Sequence, residues 1–144
     1  MVGAFECLGA VIGTIRVLPL NQGLAPCDAI LERQPQLPAG SRDNAWEVGR
    51  LVLAPEYRAG PELLRRCIAH TLLYLVENTD AQNFFASCKP VLARLYRRFG
   101  MAVLSKAVTG AADDEPFALI HGSVQSVMQA VANDAQPVGA TMLQ

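Results

Sequence analysis

The sequence has no C-x-x-C pair, no nucleophile elbow, no P-loop and no dinucleotide fingerprint, so the short motifs that most directly announce a reaction are excluded. Two histidines, His70 and His121, and four scattered cysteines, Cys7, Cys27, Cys67 and Cys88, lack the spacing of a zinc site. No bound metal is expected, and the cysteines read as reduced packing residues. Charge of one sign is also missing. Twelve Lys and Arg against 13 Asp and Glu leave a net charge of -1, which offers no footprint for nucleic acid. No apolar run reaches the roughly 18 residues of a membrane span. The apolar N-terminus is interrupted by Glu6 and has no early positive charge, so it makes a poor signal peptide. A cytoplasmic location is the resulting expectation.

What is present suits a single core. The chain has 144 residues, of which 51% are apolar and 17% charged, which argues against global disorder. One domain is expected over residues 1–133, with residues 134–144 as a flexible tail.

Turn chemistry and periodicity divide the chain. Residues 4–8 and 11–18 read as a hairpin about Gly9, closed by Pro19. Four prolines between positions 19 and 45 mark a loop, with a short helix inside it over 28–33. A strand over 46–53 ends at Pro55. Pro61 and Glu62 then suit a helix start, and Leu64, Cys67, Ile68, Thr71 and Leu75 repeat at helical spacing. A strand over 82–87 and a helix over 90–99 follow, with Gly100 as the helix stop. Strands over 101–107 and 117–120 flank an acidic loop at 109–116, and Ser123 caps a last helix. The order is β-β-(loop)-β-α-β-α-β-β-α.

Three segments carry a family resemblance. They are Val11-Ile12-Gly13-Thr14-Ile15-Arg16-Val17-Leu18-Pro19, the strand and helix entry over 47–64, and Ala93-Arg94-Leu95-Tyr96-Arg97-Arg98-Phe99-Gly100-Met101. Together they resemble the GNAT superfamily of N-acyltransferases. Arg16 before Leu18-Pro19, paired with Trp46-Glu47-Val48-Gly49-Arg50-Leu51, is similar to the acyl-homoserine-lactone (autoinducer) synthases and the long-chain N-acyl amino acid synthases. Val48 stands where the autoinducer pattern has serine, and Leu51 where it has an aromatic. Both departures weigh against lactone chemistry. The resemblance implies an α/β (α+β) fold with a central mixed, mostly antiparallel sheet flanked by helices. It also implies a further N-terminal strand and helices, so an N-terminally abbreviated form of the fold is expected here.

The implied activity is transfer of a fatty acyl group from acyl carrier protein or acyl-CoA to the amine of an amino acid or related small molecule. The alternatives are autoinducer synthesis and a non-catalytic acyl-thioester binding module. Glu47 is the candidate general base, or else an exposed strand glutamate paired with Arg16 or Arg50. Tyr96 is the candidate general acid, or else a half-buried packing residue on an amphipathic helix. Leu51, Val52, Leu53, Arg58 and Gly60 are the expected thioester and phosphopantetheine contacts, beside a helix start that favours anions. The turn Arg58-Ala59-Gly60-Pro61-Glu62 is one residue shorter than the family pattern and lacks its second glycine. That shifts the expected donor towards a carrier-bound chain. Arg16 and Arg50 are candidates for an acceptor carboxylate. Arg65, Arg66, Arg94, Arg97 and Arg98 would dock an acidic acyl carrier protein, or else form solvated helix faces. An exposed hairpin edge would also allow a homodimer.

Overall fold

Alternating β-branched and aromatic residues in the first twenty positions form a hairpin, β1 (Val2–Cys7) with β2 (Ala10–Pro19), in a computed structural model of the chain. The structure describes residues 2–7, 9–34, 36–58, 60, 62–109, 116–133 and 141–143. Pro61 and residues 110–115 of the expected acidic loop lie outside the described residues. After the hairpin come α1 (Pro26–Glu32), β3 (Ala45–Leu53), a 3-10 turn (Pro55–Tyr57) and α2 (Glu62–Asn78). β4 (Asn83–Cys88), α3 (Pro90–Arg97), β5 (Ala102–Thr109), β6 (Pro116–Ser123), α4 (Val124–Asn133) and β7 (Thr141–Leu143) complete the order. The strand and helix sequence read from the chain is thus the one observed through α4. The expected tail differs: residues 134–140 lie outside the described residues, but Thr141–Leu143 pairs antiparallel with β1. Open backbone donors and acceptors on the β1 edge account for that added strand.

The seven strands form one sheet in the order β5-β6-β4-β3-β2-β1-β7. Among the described residues, every pairing is antiparallel except β3 with β4, which α2 joins as a crossover. That parallel ladder runs only from Ala45↔Asn83 to Glu47↔Phe85. Both strands continue past it, β3 to Leu53 and β4 to Cys88, each held by its outer neighbour. Between them the sheet opens.

The two faces of the sheet are covered unequally. One face packs Ile12, Val17, Val48 and Phe84 against Cys67, Ile68, Leu72 and Leu75 of α2, Ala93 and Tyr96 of α3, and Val127 of α4. The other carries Phe85 and Leu119 under Cys27 and Leu31 of α1, with Leu20, Ala25 and Ala45. Burying each such large side chain contributes about 1.5–3 kcal/mol, so the α2–α4 face holds most of the hydrophobic stabilisation.

Local stops follow the expected chemistry. Gly100 ends α3 at φ +77°, and a Cβ there would lie 2.3 Å from the Ser126 carbonyl oxygen. Only glycine satisfies both demands. The Ser123 hydroxyl accepts a hydrogen bond from the Ser126 N–H at 3.1 Å and caps α4. In the loop before β3, Arg42 donates to the Asn21 side chain at 2.7 Å and lies 3.9 Å from Asp28, which closes the chain around α1.

Candidate active site

The opening between β3 and β4 is a cleft of about 350 Å³. Val48, Leu51, Leu53, Leu64, Ile68 and Leu92 give it apolar walls, and Arg50, Arg58, Gly60, Ser87, Cys88 and Tyr96 bring polar groups to it. A mostly apolar cleft with a few convergent polar groups suits a ligand with an aliphatic part and a polar end.

A bulge in β3 shapes this wall. Thr14 faces Val52 while Arg16 faces Gly49, so β3 spends one more residue than β2 over the same span. Arg50 sits at the bulge with φ +51°, a left-handed conformation that costs a non-glycine residue about 1–2 kcal/mol. The extra residue resets the two-residue alternation. Leu51 and Leu53 therefore join Val48 on the α2–α4 face, while Val52 is 53% exposed and lies outside the cleft lining. Of the residues expected to contact a thioester, Leu51, Leu53, Arg58 and Gly60 line the cleft, and Val52, turned to the opposite face of β3, does not.

At the far end of β3, the Arg58 Nε donates to the Leu53 carbonyl at 2.7 Å and turns the chain into the approach to α2. Gly60 follows with φ +102°. Glu62, in the first turn of α2, is not an isolated negative charge, since Arg65 lies 3.2 Å and Arg66 3.6 Å from its carboxylate. Two of the five arginines expected to dock a carrier are thus engaged within α2. Arg94, Arg97 and Arg98 are exposed on and just after α3, next to exposed Val91 and Leu92.

Tyr96 lines the cleft from α3 and is 4% exposed. Burial, with the nearby Cys88 adding to it, pushes its phenol well above its ordinary range. The Cys88 thiol is itself raised to about 11 by burial. Both groups are therefore protonated at neutral pH, as a hydroxyl that supplies a proton must be.

Glu47 stands elsewhere. It is 4% exposed, points to the α1 face and is absent from the cleft lining. Its Oε1 accepts the Cys27 N–H at 2.8 Å, and its Oε2 lies 3.8 Å from the Arg16 guanidinium. Arg16 and Glu47 come together because both strands direct them to the α1 face, where Leu18 is the cross-strand partner of Glu47. Arg16 also lies outside the cleft lining; Arg50 is in it.

Ser87, Cys88 and Cys27 were not singled out as site residues by the sequence. A usable signal existed for the first two. They end a strand parallel to β3, and ligands favour the C-terminal ends of parallel strands where the sheet parts. Nothing local marks Cys27, whose N–H meets a carboxylate twenty residues away. The two histidines are placed structurally. His121 Nε2 lies 2.8 Å from Asn83 Oδ1 and its ring meets Phe85 at 4.8 Å, while His70 sits part-buried on α2. Among the described residues, no cluster of three or more His, Cys, Asp and Glu is placed to hold a metal. No helix among them is long and apolar enough to cross a membrane.

A sheet that opens between two parallel strands, with a crossover helix starting beside the gap, is the architecture of the GNAT acyltransferases. The solved structures agree on that fold. FeeM, an N-acyl amino acid synthase from uncultured soil microbes, matches with a TM-score of 0.66 and 18% identity, over 87% of this chain and 70% of that one. The acyl-homoserine-lactone synthase LasI matches with a TM-score of 0.66 and 13% identity, over 89% and 66%. An uncharacterized protein from Bacillus halodurans matches with a TM-score of 0.66 and 11% identity, over 87% and 59%. This chain therefore spans 59 to 70% of the length of these three. A search of curated proteins finds no match. The profile of the N-acyl amino acid synthase FeeM family matches residues 1–121, and the chain belongs to that family.

Proposed function

We propose that the protein transfers a fatty acyl group from a thioester, on acyl carrier protein or coenzyme A, to the amine of an amino acid or related small molecule. The observation that carries this reading is the apolar cleft between β3 and β4, with Tyr96 in its wall and the Glu47–Arg16 pair across the sheet. In this reading the acyl chain lies against Leu51, Leu53, Leu64 and Ile68. The phosphopantetheine arm leaves past Arg58 and Gly60. The amine attacks the thioester carbonyl, Glu47 is the final proton acceptor, and Tyr96 protonates the departing thiolate. Arg50, held at the cleft by the bulge, pairs with the carboxylate of an amino acid acceptor. The exposed Arg94, Arg97 and Arg98 favour an acidic carrier protein as the donor's bearer.

The test is incubation with acyl-CoA and with acyl carrier protein against a panel of amino acids, with mass spectrometry of the products. Amide formed from an amino acid supports the reading. Thioester binding without amide from any acceptor supports instead a binding module, which the position of Glu47 outside the cleft lining favours.

A further inference from the structure

Glycine weakens a strand, because it gives up more chain entropy on ordering than any other residue and packs no side chain. Gly13 and Gly122 have a steric reason to be there. A Cβ would lie 2.6 Å from the Leu53 side chain at the first and 2.7 Å from the Met101 side chain at the second. Gly49 of β3 has no such reason. A Cβ built there would meet no atom within 4 Å, and its φ lies outside the left-handed region. The left-handed position at the bulge belongs to its neighbour Arg50. A strand glycine that neither backbone nor packing requires marks a place where a ligand comes close.

The open space lies where the two halves of the reaction are divided. Gly49 lines the cleft. Its cross-strand partner is Arg16, which stands on the α1 face, so a side chain at position 49 would point to that face too. Glu47 is two residues back on the same face, about 7 Å along the strand. The backbone of Gly49 therefore borders the cleft, while the space over it borders Glu47 and Arg16. Beyond Glu47 this face of the sheet is open to solvent, since Thr14 and its partner Val52 are exposed. Arg16 adds a second sign of a ligand. Among the described residues its buried Nε has no hydrogen-bond partner, and its guanidinium stops 3.8 Å short of the Glu47 carboxylate. A buried donor left in that state is costly unless something bound completes it.

We propose that the missing side chain at Gly49 is the port through which the acceptor amine reaches the thioester, entering from the α1 face, and that Gly49 thereby determines which amines are acylated. The inference rests on the acyltransferase reading above. The acyl donor lies in the cleft on one side of β3, and a primary amine comes over Gly49 from the other, with Arg16 and Glu47 beside it. As the amine nitrogen bonds to the thioester carbonyl carbon, its surplus proton passes to Glu47, directly or through one water. The C–S bond breaks, and the thiolate takes the Tyr96 hydroxyl proton. The products are amide and thiol, and solvent returns the proton from Glu47 to Tyr96 between turnovers. Glu47 then has no need to line the cleft. An opening one side chain wide favours an amine on a lightly substituted carbon.

The port predicts opposite signs for stability and activity at one position. Gly49→Ala and Gly49→Val each add a side chain to open space in a strand, so the urea midpoint should rise in both, and more with valine. Amide formation should fall. The kcat/KM for the amine should drop about 10-fold in Gly49→Ala and about 10²-fold in Gly49→Val, most for amines on the more substituted carbons. The donor should be indifferent: a thioether analogue of the acyl donor, titrated calorimetrically, should bind all three proteins with the same Kd. A lower urea midpoint in Gly49→Ala would give the glycine a structural reason and overturn the port. Equal kcat/KM for the amine in the three proteins would overturn it too. So would thioether affinity that falls in step with turnover, because the opening would then belong to the donor's path. A wild type that binds the thioether and acylates no amine overturns the acyltransferase reading, and the port with it.

Discussion

The two faces of the sheet beside β3 and β4 are built for different tasks. On the α2–α4 face, three helices press a continuous apolar layer against the strands, and the cleft is what remains where the strands part. On the α1 face, a helix of seven residues covers a smaller apolar cluster and the buried Glu47 and Cys27, with part-buried Arg16 beside them. The first face supplies stability and an apolar berth. The second holds the carboxylate that we propose accepts the proton in acyl transfer, covered by α1. Strand alternation enforces the division, because Glu47 and Val48 cannot share a face.

The most severe way to break this division is to neutralise the α1 face. Glu47→Gln keeps an oxygen for the Cys27 N–H and removes the proposed proton acceptor. Turnover should fall by about 10²–10⁴-fold, the usual worth of a general base, while the thermal unfolding curve stays cooperative. Steady-state acylation rates of the two proteins decide it, and equal rates would remove Glu47 from the mechanism.

The next comparison uses one substitution on both faces. Leu72 in α2 and Leu31 in α1 are both essentially unexposed. Leu72 is walled in by the large helix layer, so Leu72→Ala should cost about 4–5 kcal/mol, near the top of the range for such truncations. Leu31 is carried by a short helix that can settle into the space, so Leu31→Ala should cost about 3 kcal/mol. Urea unfolding of both variants measures the difference. The reverse order would mean that α1 is as firmly fixed as α2.

Tyr96→Phe probes the cleft wall without disturbing its packing. It should lower turnover by about 10²-fold, the lower end for a general acid, and leave stability within about 1 kcal/mol. A donor whose thiol is a better leaving group needs less help and should narrow the loss. Arg50 allows a smaller and cleaner separation. Glycine accepts φ +51° without strain, so Arg50→Gly should hold stability level or raise it by about 1 kcal/mol. At the same time it should raise KM for a carboxylate-bearing amine, an increase absent for an acceptor amide.

Much of this arrangement was legible in the sequence, for physical reasons that can be named. Gly100, Ser123 and the helical stripe from Leu64 to Leu75 act through neighbours within a few residues, so their readings coincide with the observed elements. The candidates Leu51, Leu53, Arg58, Gly60 and Tyr96 all reach the cleft, since the order of strands and helices already determines which ends meet. What was hidden depends on long-range register. The bulge at Arg50 turns Val52 outward, and only the pairing with β2 reveals it. The Cys27 contact with Glu47 and the pairing of Thr141–Leu143 with β1 likewise exist only after the chain has folded back on itself.

The two histidines offer the mildest test, one on each side of the sheet. His121 packs on Phe85 beside the α1 cluster, and His70 lies on α2. Burial lowers both below the ordinary 6.5. As pH falls through that value, the unfolded chain takes up protons that the native protein resists, so stability declines with acid and is fully present above neutrality. Both faces contribute with the same sign, but the losses should differ in kind. Protonated His121 sits against the Asn83 side chain, which also donates to the Asp43 carbonyl at 2.7 Å and to the Gly40 carbonyl at 3.0 Å. The cost of charging the buried ring therefore falls beside a residue tied to the loop that leads into β3, whereas His70 lies on α2. Urea unfolding at pH 7.5 and 5.5 should show the decline in wild type, and a larger part of it should disappear in His121→Gln than in His70→Gln. Equal effects would mean that the loop into β3 tolerates acid as well as α2 does, and that the α1 face is less dependent on its polar contacts than its small apolar cluster implies.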